Sequence, residues 1–470
     1  MRTYRIRTLL ALLLVVAFAA CQRDNDKPVL PEETLILNNW IWEGMNDVYL
    51  WEEFIPDLDQ ETETDPKEFF YKLLYEDDRD SWITEDYEAL VSMFQGVERS
   101  TGMSARPGLL GEDRVISIVE YVTPDSPASD SGIKRGDIIV TIDGTTLNRD
   151  NYYDLYNQTT ATFGFGDWTG SDAVPNGRTV QLTALELNRN PVIHSQVIES
   201  GGKKIGYFVY TQFTAGKNNE WRNELNSVFE DFRSANISEV VVDLRYNRGG
   251  SLDLSAYIAS TLGPASAMEN NSVYVNLVWN DSYNRFWKEY DWDDDGQPDG
   301  EDSPQLLIKL PQSELNLNLS TVYFLTTDLT ASASESLMTG LYPYAEVVQI
   351  GETTYGKCYG SITIDDWEQP KRHNWAMQPL VLKYANAEGF TDFVEGIEPD
   401  FRVPDDLLAA RPFGSREDPL LAKALELITG AGPMKKAAVT EGLFSRLPAQ
   451  PKPMIERMVE WPVRPVLLRD

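Results

Sequence analysis

Three short, almost unbroken apolar runs constrain this chain most. They are Val240-Val-Val-Asp-Leu244, Thr321-Val-Tyr-Phe-Leu325 and Glu346-Val-Val-Gln-Ile350. Runs of β-branched and aromatic residues that do not alternate with polar ones belong to strands covered on both faces. Ile205 to Tyr210 is also strand-like, and helical spacing marks Asn219 to Phe232, Ala333 to Leu341 and Asp418 to Ile428. Strand and helix alternating over residues 201–430 predict an α/β domain.

The flanking regions have a different texture. Residues 35–97 carry helical, aromatic-rich stretches (Trp40, Trp42, Tyr49, Trp51, Phe69, Phe70), and Asp65-Pro66 reads as a helix start. An acidic break, Glu76 to Asp80, precedes a further helical stretch, Tyr87 to Phe94. We expect a small N-terminal helical domain here. Residues 98–200 turn to short strands and turns, with Val115 to Val119 alternating as a strand does. The Gly-rich stretch Phe163 to Gly177 reads as an inserted loop. Residues 431–470 are Pro-rich and read as a loosely packed extension.

The first residues form a targeting segment and stay outside the fold argument. Arg2, Arg5 and Arg7 precede an apolar run, Leu9 to Ala20. As a helix that run is about 18 Å long, too short for ~30 Å of hydrocarbon. It ends in Phe18-Ala19-Ala20-Cys21, which resembles the lipobox of bacterial lipoproteins. That implies a signal peptide over 1–20, lipidation of Cys21, a tether over 21–34, and a bacterial cell-envelope location, anchored to the membrane by lipid alone. An ordinary secretory peptide is the other reading. Cys358 is the one other cysteine, so no disulfide framework or metal cluster is expected. A formal charge of −33 argues against nucleic acid as a partner.

The chain has two histidines, His194 and His373, so a hydrolase built on it needs another base. Ser332, in Thr330-Ala-Ser-Ala-Ser-Glu335, lies between a strand and a helix. A hydroxyl there sits beside unpaired helix N–H groups that stabilise an anion, with Ala333 N–H as one donor. Ser332-x-x-Glu335 is equally a capping box. Asp243-Leu-Arg-Tyr-Asn-Arg-Gly-Gly-Ser251 places Gly249 and Gly250 after a buried strand, where a backbone N–H can approach a substrate. A plain tight turn is the alternative. Gly351 to Lys357 has P-loop spacing, but Cys358 replaces the magnesium-binding hydroxyl and Tyr359 to Ile364 reads as a strand. Lys357 instead fits a buried base. It would have to be neutral near pH 7, about three pH units below its ordinary range, which desolvation can supply at ~1.4 kcal/mol per unit.

Ser131 to Gly144, with Ser126-Pro-Ala before it, resembles the core of a PDZ domain. Such domains add a peptide tail to a sheet edge and hold its carboxylate on backbone amides. Gly102, Met103 and Ser104 are the expected peptide-binding turn. Together with the Ser332, Lys357 and Gly249-Gly250 strings, this resembles the carboxyl-terminal processing (tail-specific) serine protease family, across roughly Glu98 to Asp400. The resemblance implies an α/β catalytic domain of the ClpP/crotonase-like kind, a PDZ domain inserted or preceding, and a small helical N-terminal domain. It implies Ser332 as nucleophile, Lys357 as general base, and Ala333, Gly249 and Gly250 as oxyanion donors. Glu335 matches the family's glutamate, and Ser361 stands where many members carry glutamine. The implied activity is a serine endopeptidase with a Ser-Lys dyad acting on unstructured or C-terminal protein segments, without a catalytic cofactor. The rival is a non-catalytic tail-binding lipoprotein with a degenerate protease body.

Separately, Asp291, Asp293, Asp295, Asp299 and Asp302, with Gly296, have EF-hand-like calcium spacing. The sequence leaves open a structural calcium site or a solvated acidic loop.

Overall fold

The computed structural model describes residues 29–430 and 444–447. Cys21, the apolar run before it and most of residues 431–470 lie outside them. The apolar runs form the middle of a six-stranded sheet. Its order is Val192–Ser200, Lys203–Tyr210, Glu239–Asp243, Thr321–Thr326, Glu346–Gly351 and Phe401–Arg402. The first pair is antiparallel and the others parallel. Side chains alternate across the sheet, so both faces must be apolar. Val240, Val242, Val322 and Phe324 face one core, which the helices Glu220–Ala235, Leu252–Leu262 and Ala333–Leu341 share. Val241, Tyr323 and Leu325 face the other, closed by Leu420, Leu421, Ala424, Leu425 and Ile428 of Pro419–Thr429. A second sheet, Leu307–Lys309, Val273–Trp279, Leu380–Asn386 and Tyr359–Ser361, carries the lysine loop at its edge.

One boundary differs from expectation, and the N-terminal region is tied closely to the α/β body. The N-terminal helix Glu32–Val48 buries Leu37, Trp40, Ile41, Met45 and Val48 on one face. These pack into the same core as Val240 and Phe324, so the N-terminal helical segment is built onto the α/β body. Strand Trp82–Thr84 also pairs with Ala376–Gln378. At the other end, Val192–Ser200 belongs to the six-stranded sheet, so the second domain stops short of residue 200. A ribbon of Val97–Ser100 with Leu185–Asn188 joins the two bodies.

Phe163 to Gly177 is not a loop. It lies in strands Thr160–Trp168 and Ala173–Thr183 of the second domain's sheet. Phe163 and Phe165 alternate into that domain's core. Gly164 and Gly166 lie where neighbours crowd: a Cβ on Gly166 would stand 2.7 Å from the Val174 carbonyl. The glycines that suggested a loop therefore serve close strand contact.

A buried ion cluster closes the sheet's C-terminal end. Arg245 is fully buried and pairs with Asp243 at 2.6 Å, Asp418 at 2.9 Å and Asp405 at 3.0 Å. Arg135, from the second domain, reaches Asp405 at 2.8 Å and donates to the Arg411 carbonyl at 3.0 Å. Burial alone would raise the Asp405 carboxyl. Arg135 and Arg245 overcome it and hold the group well below the ordinary carboxylate range. A depressed carboxylate adds stability that is complete above its unfolded value, about 3.9, and is lost as pH falls through the folded one. Arg245→Ala should thus cost about 3–5 kcal/mol in urea unfolding at pH 7. The gap from wild type should narrow below about pH 4.

Candidate active site

Strand Thr321–Thr326 ends against the turn Thr327–Ala331, and Ser332 begins helix Ala333–Leu341. Ser332 has φ 55° and ψ −116°, a conformation few non-glycine residues adopt. Neighbouring loops hold it there. Thr330 Oγ1 donates to the Leu244 carbonyl at 2.9 Å, and Ala331 N–H to the Asn247 carbonyl at 3.1 Å. Ser334 Oγ donates to that same Asn247 carbonyl at 3.0 Å. The Asp243–Ser251 string therefore braces the serine turn.

Glu335 joins this turn to the lysine loop. Its carboxylate is fully buried, and one oxygen accepts the N–H of Ser332 at 2.8 Å and of Lys357 at 2.8 Å. The two amide nitrogens are thus no further apart than twice that distance. The other oxygen accepts Gly356 N–H at 2.7 Å and the Thr354 hydroxyl. Burial holds this carboxyl above its ordinary value, although the bonds from Thr354, Lys357, Gly356 and Ser332 pull the other way. A second clamp is Tyr384, whose hydroxyl lies 3.0 Å from the Ser332 carbonyl and 2.6 Å from that of Lys357.

The remaining expected site residues distribute as follows. Gly249 and Gly250 take φ of 107° and 137°, closed to most other residues. A Cβ on Gly249 would stand 2.8 Å from Ser332 Cβ and 3.1 Å from Ala333 N, so the paired glycines lie against the serine. Gly249 N–H, however, is donated to Asn247 Oδ1 at 2.9 Å, which corrects its expected role as a free oxyanion donor. Ser361 is buried on strand Tyr359–Ser361 and donates to Gln378 Oε1 at 2.9 Å. Cys358 is buried, and burial pushes its thiol up to about 11, which suits a small core residue and not a nucleophile.

Asp80 escaped the sequence reading. Its carboxylate lies 3.9 Å from Lys357 Nζ, and both side chains are buried, at 5% and 1% exposure. Tyr355 donates to Asp80 at 3.1 Å. Arg79 donates to the carbonyls of Gly356 at 2.6 Å and Val394 at 2.8 Å. The acidic break thus touches the lysine loop directly. Only long-range packing reveals this, and no local spacing signals it.

Away from this site, Gly102 has φ 80° and opens strand Met103–Leu110 of the second domain. Its N–H goes to Ser100 Oγ at 3.0 Å, Met103 N–H to Thr101 Oγ1 at 3.4 Å, and Ser104 Oγ to Glu120 at 3.1 Å. In the acidic loop only Asp291, Asp293 and Asp295 converge, with ligand atoms within 4.8 Å of one another. Asp299 accepts from Trp292 N–H at 2.7 Å and Asp302 pairs with Lys309 at 3.3 Å.

Glu335→Gln tests the clamp. It turns one acceptor into an amide donor facing N–H and O–H donors, so urea unfolding should show a loss of at least about 1–3 kcal/mol.

Comparison with known proteins places this geometry. Residues 204–403 match Peptidase family S41, residues 37–82 the Peptidase S41 N-terminal domain, and residues 118–155 a PDZ domain. A carboxyl-terminal-processing protease of Picosynechococcus sp. is 26% identical over 318 residues, covering 67% of each chain. The chloroplastic carboxyl-terminal-processing peptidase 2 of Arabidopsis thaliana is 30% identical over 179 residues, 37% of this chain and 34% of that one. A putative S41 protease from Bacteroides fragilis, known as a crystal structure, superposes with TM-score 0.67 at 28% identity. That match covers 83% of this chain and 97% of the other. By these matches the chain is a peptidase that belongs to family S41, with the family's N-terminal domain and a PDZ domain.

Proposed function

We propose that the protein is a serine endopeptidase that uses a Ser332–Lys357 dyad to cut unstructured or C-terminal segments of polypeptides. The observation that carries this reading is the shared Glu335 oxygen, which binds the backbone N–H of both residues at 2.8 Å. Neutral Lys357 takes the Ser332 proton as Oγ attacks the peptide carbonyl. The resulting oxyanion rests on Gly250 and Ala333 N–H, a kind of contact worth about 3–4 kcal/mol per donor. The lysine then gives its proton to the leaving amine, and water hydrolyses the acyl-enzyme. Neither metal nor cofactor takes a step.

Burial disfavours an ammonium at Lys357, and Asp80 at 3.9 Å favours one. The balance sets the pH at which the base is ready. Activity should rise with pH as the lysine loses its proton. Asp80→Asn should move that rising limb to lower pH by about one unit or more. The other charged or titratable groups beside the pair, Tyr355, Arg79 and Glu335, are unchanged in that variant.

Digestion of an unfolded protein, mapped by mass spectrometry, tests the dyad. Wild type should yield fragments, while Ser332→Ala and Lys357→Ala should each lose at least about a thousandfold in rate. Full activity in Lys357→Ala contradicts the dyad. Inactivity of wild type alongside tail binding favours the rival, a non-catalytic tail-reading lipoprotein.

For location, we propose a lipid anchor at Cys21 in a bacterial cell envelope; no helix among the described residues is long and apolar enough to cross a membrane. Metabolic labelling with palmitate should mark wild type and not Cys21→Ala. A structural calcium at Asp291, Asp293 and Asp295 is a separate proposal, and calorimetric titration without calcium heat removes it.

A further inference from the structure

One short piece of the C-terminal extension lies on the PDZ domain. Ser445–Arg446 pairs antiparallel with strand Met103–Leu110, Ser445 opposite Leu109 and Arg446 opposite Gly108. Leu447 N–H then donates to the Pro107 carbonyl at 3.1 Å. Without this segment, Met103–Leu110 would be the outer strand of its sheet. It is also the strand that leaves the Gly102 turn. From Ser445 to Leu447 the segment advances from Leu109 towards that turn. This is the direction of a bound peptide tail whose carboxylate ends at the turn.

The fit extends to side chains. Leu447 packs on the PDZ core with Met103 and Leu109. Phe444 covers Gly108, where a Cβ would stand 2.3 Å from its ring. Arg446 reaches off the PDZ domain to the protease body. It pairs with Asp328 at 3.2 Å and Glu352 at 3.1 Å, and donates to the Asp405 carbonyl at 2.9 Å. Asp328 lies in the turn that leads into Ser332. Arg106, on the occupied strand itself, stands 3.5 Å from Asp328 as well.

We propose that residues 444–447 are a built-in competitor for the peptide edge of the PDZ domain. A polypeptide tail displaces them, and in doing so breaks the Arg446 tie between that edge and the serine turn. The proposal rests on the reading that this edge takes tails. Leu447 is followed by more chain and brings no free carboxylate. A true C-terminus therefore gains contacts at the Gly102 turn that the internal segment lacks. The tethered segment competes at a high effective concentration, so weak pairing suffices to hold the edge.

The test uses the full chain carrying Ser332→Ala, with and without Arg446→Ala plus Leu447→Pro. The proline removes the N–H donated to Pro107. Binding of a fluorescent unstructured peptide with a free carboxylate is read by anisotropy, and amide exchange over residues 103–110 by mass spectrometry. The proposal expects faster exchange and about tenfold tighter peptide binding in the double variant. Arg446→Ala alone keeps the strand hydrogen bonds and should give a smaller gain in the same direction. Unchanged exchange shows that the segment does not sit on the edge and overturns the proposal. Faster exchange with unchanged affinity makes the segment a strut and also overturns it. Faster exchange with no peptide binding by any form defeats the tail-reading function itself, and the competitor with it.

Discussion

A single buried carboxylate organises this protein's chemistry. Glu335 is fully buried, so every hydrogen bond its carboxylate accepts offsets a desolvation cost of several kcal/mol. Its donors come from two places, the serine turn and the lysine loop. Separating those loops would strand the charge. The serine's strained backbone and the lysine's position are therefore held as one unit, with Tyr384 bridging their carbonyls from a strand of the second sheet. On our reading, preorganisation of this kind is what the proposed dyad needs, because a lysine has four rotatable bonds to fix.

The rest of the fold serves to keep that unit in place. Parallel strands deliver the serine turn and the Gly249-Gly250 string to the same end of the sheet, where such sheets carry their sites. The Arg245 cluster closes that end and takes in Arg135 from the PDZ domain, so the PDZ domain docks through buried charge. Arg446 adds a second tie, to Asp328 in the turn that leads into Ser332. On our reading, the domain that receives a tail and the domain that cuts it meet at ionic contacts that a bound peptide can rearrange.

How much of this was legible in the sequence follows from the range of each interaction. Val240 to Leu244 announced a covered strand because alternate side chains enter two cores, and the sheet is built that way. Ser332 and Lys357 were visible as motif positions. The capping box was an alternative to the nucleophile, yet its carboxylate half is formed here and extends to Gly356 and Lys357. Local spacing could not show Asp80, Asn247 or Tyr384, whose partners lie far along the chain. It also misread Gly164 and Gly166, since glycine in a crowded strand and glycine in a loop look alike until the neighbouring strand is known. Nothing local says that the N-terminal aromatics fill the core shared with Val240 and Phe324.

The central claim is that Ser332 is an activated nucleophile and Lys357 its base. Labelling with a serine-directed phosphonate, followed by mass-spectrometric location of the adduct, tests this most directly. The account predicts one adduct, on Ser332, formed by wild type and lost when Lys357 is replaced by methionine. An adduct on another serine, or undiminished labelling of Ser332 without the lysine, would contradict it.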